Sequence, residues 1–135
     1  MKMDPSQPAQ ESKGISENHW IMGGRFLSQS AKGESMGQPF EGMGITGYDN
    51  VRGEYTSIWI DNMGTGIENA TAQYDPATKT FSEKGSCSSP ITGDKDKHFR
   101  AEWKIVDKDH YTYEMYTSGP DGKEFKNIEI SYTRA

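Results

Sequence analysis

The chain holds a single cysteine, Cys87, in 135 residues. One thiol rules out an intrachain disulfide framework and leaves the redox compartment open. Hydrophobic residues make up only 32% of the chain. That is thin for a helical bundle but suits a sheet with one wet face, where every second residue is polar. No apolar run has the length of a membrane-spanning helix or of a signal-peptide core. The chain therefore reads as soluble, either cytoplasmic or, with a leader removed upstream, periplasmic. Positive charge is also in short supply, with 15 Lys and Arg against 20 Asp and Glu and a net charge of −5. The basic residues are scattered rather than striped, which argues against nucleic acid and anionic membrane as partners. His19, His98 and His110 share no local metal-ligand spacing, so no metal and no cofactor is expected.

What the chain does have is glycine, 15 residues of it, and an aromatic content of 11% that argues against disorder. Turn signals recur at short intervals, among them Asn62-Met63-Gly64, Tyr74-Asp75-Pro76, Asp107-Lys108-Asp109 and Gly119-Pro120-Asp121-Gly122. The segments between them alternate or carry β-branched and aromatic side chains, with no helix-length apolar stripe. The pattern predicts about nine strands, over residues 9–18, 20–32, 38–48, 54–61, 65–74, 79–88, 97–106, 110–117 and 124–133. Residues 1–8 read as a loose arm of one domain spanning 1–135. Within 20–32, Gly23-Gly24 suggests a bulge or sharp bend inside one strand. Consecutive antiparallel strands with short links favour an all-β, up-and-down meander closing into a barrel, with a sandwich as the alternative.

Such barrels work by what they hold, so candidate wall residues are the aromatic and Met side chains on alternating positions. Phe99, Tyr113, Met115 and Trp59 are the candidate ligand-binding walls, with Arg25 and Asp61 as polar anchors. Each has a plainer reading. Trp59 serves equally as core packing, and Asp61-Asn62 as turn residues bonding to backbone. Arg25, pointing into a barrel, needs a carboxylate such as Glu114 or Glu129, or else it points to water. Tyr111, Tyr113 and Met115 share a face and are more often core than ligand box. Phe99 to Ile105 alternates, which turns Arg100 away from its apolar neighbours.

Signals for chemistry are weaker. Cys87 has no base in a local motif, and Asp94-Lys95-Asp96 lacks the following Gly and distal Glu of a calcium loop. Gly42-Met-Gly-Ile-Thr-Gly47 matches a nucleotide-loop pattern, but no strand-then-helix context surrounds it. Asp61, Glu114 and Glu129 are the carboxyls on which an enzyme reading would depend, with Asp61 or Glu114 as general acid or base. The leading expectation is a module binding a small apolar or amphipathic molecule, without catalysis.

Several ordered segments carry a resemblance: Trp20-Ile-Met-Gly-Gly-Arg-Phe-Leu27, Phe40-Glu-Gly-Met-Gly-Ile-Thr-Gly-Tyr-Asp-Asn50, Trp59-Ile-Asp-Asn-Met-Gly-Thr-Gly66 and Ile128-Glu-Ile-Ser-Tyr-Thr-Arg134. With Tyr74-Asp-Pro76 and Pro120-Asp-Gly-Lys-Glu124 between them, they resemble the bacterial family catalogued as domain of unknown function 1579. The resemblance implies a calycin, a lipocalin-like barrel, and supplies no catalytic residues. Members of that family usually begin with a further segment that opens the first strand. The chain here starts at Met1-Lys-Met-Asp-Pro5, inside that strand. The expectation that follows is an incomplete first strand whose edge pairs with a second copy, as a homodimer, or stays open.

Overall fold

The structure is a computed structural model that describes residues 11–35, 37–90 and 92–134. The expected arm over 1–8, and the start of the first expected strand, lie outside these residues. Nine strands follow one another: β1 (Gly14–Ile21), β2 (Phe26–Ser35), β3 (Gln38–Asp49), β4 (Glu54–Asp61), β5 (Glu68–Asp75), β6 (Thr80–Cys87), β7 (Lys97–Asp107), β8 (His110–Ser118) and β9 (Glu124–Thr133). Their order in the sheet is their order in the chain, and the ladders from β1 to β4 and from β7 to β9 are antiparallel. This is an all-β, up-and-down meander, the strand order of calycin-like barrels. Among the described residues no helix is long and apolar enough to cross a membrane. The chain divides into two compact units: residues 11–71 with 86–97, and residues 72–85 with 98–134.

The first unit corrects one expectation. Residues 20–32 are not one bent strand, because Met22 to Arg25 reverse the chain between β1 and β2. Met22, Gly23 and Gly24 have φ of 54°, 71° and 83°, and the Gly24 amide donates to the Ile21 carbonyl at 3.1 Å. Consecutive left-handed residues tighten a hairpin rather than bulge a strand, and the ladder resumes at once with Ile21 opposite Phe26. The β3–β4 turn is held differently. Asp49 Oδ1 accepts the Val51 and Arg52 amides at 3.0 Å each, and Gly53 closes the turn with φ of 70°.

Alternation then sorts the two faces of β1–β4. One face carries Trp59 and Tyr55 on β4, with Gly42, Gly44 and Tyr48 on β3. Trp59 stands opposite Gly44, and its indole lies across Gly42 and Gly44, where an added Cβ would overlap the ring. The two glycines are therefore the space the tryptophan occupies. The other face carries Met43, Ile45, Ile58 and Ile60, with Met43 opposite Ile60 and Ile45 opposite Ile58. On that face Phe26 covers Gly47, its cross-strand partner.

In the second unit the sorting is sharper. One face of β7–β9 holds Arg100, Glu102 and Lys104, Glu114 and Tyr116, and Lys126 and Glu129. Arg100 Nε and Nη2 grip the Glu124 carboxylate at 2.9 and 2.7 Å, and its guanidinium lies 4.0 Å over the Tyr116 ring. The other face holds Phe99, Ala101, Trp103 and Ile105, Tyr111, Tyr113 and Met115, and Ile128, Ile130 and Tyr132. Phe99, Ala101 and Tyr113 are buried, yet no large side chain among the described residues is fully buried. A slip between Met115 and Tyr116 sets Asn127 at a bulge, its Oδ1 buried without a partner.

Replacing Gly42 with Ala forces Trp59 off β3, and the expected loss is about 1–3 kcal/mol, the usual cost of overpacking. In a Trp59→Leu background the same change should cost less than half as much. Urea unfolding of the four proteins of this cycle measures the coupling, and simple additivity would contradict the packing described here.

Candidate functional site

The aromatic face of the second unit is built by period-two spacing on neighbouring strands. Trp103 on β7 stands opposite Tyr113 on β8, with ring centroids 4.3 Å apart. Tyr111 and Tyr132, opposite each other on β8 and β9, stack at 4.4 Å with 12° between planes. Trp103 lies 6.0 and 6.2 Å from those two rings. On the other side of Trp103, β6 supplies Phe81 and Glu83, two residues apart and so on one face. Phe81 packs on Tyr74 of β5 at 4.4 Å. Trp103 Nε1 donates to Glu83 Oε2 at 3.1 Å.

Glu83 is the chemically distinctive group here. Burial pushes its carboxyl above the ordinary glutamate range, and the Trp103 hydrogen bond opposes that only in part. Among the described residues no lysine, arginine or histidine pairs with it.

Of the residues expected from sequence, Phe99, Tyr113 and Met115 lie on this face. Met115 stands opposite Ala101, one step from both Tyr113 and Phe99. Trp59 and Asp61 belong to the other unit and to each other, since Trp59 Nε1 donates to Asp61 Oδ2 at 2.9 Å. Asp61 Oδ1 also accepts the Met63 amide at 2.9 Å, which is the turn role. Asn62 joins it, accepting the Glu41 amide and donating to the Pro39 carbonyl, both at 3.1 Å. Arg25 does not project among apolar side chains. It is exposed in the β1–β2 turn and donates to the Met22 carbonyl at 3.3 Å. Glu114 and Glu129, the carboxylates considered for it, hold Lys126 instead, at 3.9 and 3.1 Å.

The enzyme reading loses one of its two named carboxyls. Glu114 and Glu129 do meet, as cross-strand partners, but on the ion-paired face. The Tyr116 hydroxyl donates to Glu114 at 2.7 Å and, with Lys126 beside it, holds that carboxyl below its ordinary range. A carboxylate held ionised in water is poorly suited to donate a proton at neutral pH. Burial and the nearby Glu68 push the Cys87 thiol up, away from a nucleophilic thiolate, against the pull of Lys97. Asp94 is occupied in its loop, accepting from the Thr92 hydroxyl at 2.8 Å. Among the described residues no group of three or more His, Cys, Asp or Glu side chains is placed to hold a metal ion.

The C-terminal strands of this up-and-down sheet carry ions on one face and stacked rings with a desolvated carboxyl on the other, in an all-β meander consistent with a calycin-like barrel. A family profile described as "protein of unknown function (DUF1579)" matches residues 1–134, and the chain belongs to that family. The motif resemblance seen in the sequence thus extends over nearly the whole chain. No curated protein matches it.

The raised Glu83 pKa has a definite sign in stability. Its folded carboxyl holds a proton more tightly than the unfolded one, so its contribution is fully present below the unfolded value and is lost as pH rises through the folded value. Glu83→Gln keeps an acceptor for Trp103 and removes the charge. The variant should therefore gain more in melting temperature over wild type at pH 7 than at pH 4. An equal gain at both pH values, or a loss at pH 7, would contradict the burial assigned to Glu83.

Proposed function

We propose that the protein binds one small apolar or amphipathic molecule against the aromatic face of its second unit. Phe99, Trp103, Tyr113 and Met115 form the wall in this reading, and Glu83 is its polar anchor. The observation that carries it is the combination of stacked rings with a carboxyl to which the described residues supply one neutral donor. A purely structural core would be served better by an apolar residue at position 83, since a desolvated carboxyl costs stability. Flat rings with a few polar groups are the usual lining of small-molecule sites. The unfilled packing of this face supports the same reading, because Ile130 is 36% exposed while lying beside buried Tyr113.

Native mass spectrometry of protein purified gently from its host provides the test. A discrete extra mass that disappears on denaturation is expected. Ile130→Trp, which fills the open part of the face, should abolish that mass while leaving the circular dichroism spectrum unchanged. A bare chain mass from the wild-type protein would count against binding.

A further inference from the structure

Among the described residues no cation meets the charge of Glu83. Its one bond within the described chain comes from a neutral donor, the Trp103 indole. Arg100, Lys104 and Lys126 of the neighbouring strands are committed to the opposite face. Arg100 is held by Glu124, Lys104 by Glu102, and Lys126 by Glu129 and Glu114. From Phe99 to Ile105 and at the facing positions of β8 and β9, the side chains sharing the face of Trp103 are uncharged; Lys97, at the start of β7, acts on Cys87. A half-buried carboxylate in that setting needs either a proton or a cation brought from outside. The same rings that desolvate it present π faces, and those attract cations.

We propose that the molecule bound on this face is an amphipathic amine. Its flat apolar body lies along Trp103 and Tyr113, and its protonated nitrogen meets the Glu83 carboxylate. This inference rests on the binding reading above and narrows it to a ligand class. A neutral ligand leaves the Glu83 charge uncompensated, and an anionic one adds a like charge beside it. The carboxylates of the ion-paired face offer no equivalent site, because they already have cations within 4 Å or lie in solvent.

Three probes with one body and different charge separate the possibilities: 2-naphthylmethylamine, 2-naphthalenemethanol and 2-naphthoate. Each is titrated into the full ¹⁵N-labelled chain while the Trp103 indole N–H resonance is followed, assigned through Trp103→Phe. The amine should bind at least about ten-fold more tightly than the alcohol, as a charge-assisted hydrogen bond and a cation–π contact together imply. The naphthoate should bind most weakly. Glu83→Gln should bring amine and alcohol to within about two-fold of each other by removing the charged acceptor. Equal binding of amine and alcohol, or a preference for the alcohol or the acid, overturns the amine assignment and leaves the binding reading in place. If none of the three moves the Trp103 resonance, both fall together.

Discussion

Everything in this molecule depends on the two-residue period of the extended chain. A strand offers two faces, and a meander with short turns fixes the register that aligns those faces across neighbours. On β7 from Phe99 to Ile105 each step along the chain moves from an apolar side chain to a charged one and back. Arg100, Glu102 and Lys104 satisfy one another and their neighbours in water, where such pairs contribute only about 0–1 kcal/mol each. Their value lies in keeping their own charges off the ring-bearing face. That is why a single carboxyl reaching the aromatic face from β6 matters.

The molecule contains the same pair twice, a tryptophan indole donating to a carboxylate, and the surroundings make the two different. Asp61 lies two residues from Trp59 on one strand, and its second oxygen takes a backbone amide in the following turn. That carboxylate is fully employed in shaping the end of β4. Glu83 lies 20 residues from Trp103 on another strand and, among the described residues, receives the indole alone. The first arrangement uses its carboxylate for local geometry. The second leaves a desolvated charge with spare acceptor capacity, which is the kind of strain that marks a functional site. Gly42 and Gly44 complete the contrast, for they give Trp59 a bed of bare backbone on which to lie flat.

Most of the architecture was legible because turns and alternation are local signals. The stretch from Phe99 to Ile105 and the final hairpin through Gly119-Pro120-Asp121-Gly122 could be read residue by residue, and the structure pairs them that way. Gly23-Gly24 misled because left-handed glycines serve bulges and tight turns alike, and only the ladder from Ile21 to Phe26 separates the two. Phe99, Tyr113 and Met115 were visible as alternating apolar positions. Glu83 was not, since Ser82-Glu83-Lys84 reads as a solvated stretch. Its character comes from Trp103, brought beside it by the sheet, and no local pattern announces such a contact. The one available hint was the two-residue step from Phe81, which places Glu83 on the same face as an aromatic ring.

The central claim is that Glu83 is a desolvated carboxyl whose one partner among the described residues is the Trp103 indole. Its side-chain carboxyl carbon, followed by ¹³C NMR across a pH titration, tests this most directly. The account predicts an inflection above the ordinary glutamate range, with the Trp103 indole N–H resonance moving at the same midpoint. An inflection in the ordinary range, or an indole resonance indifferent to it, would contradict the account.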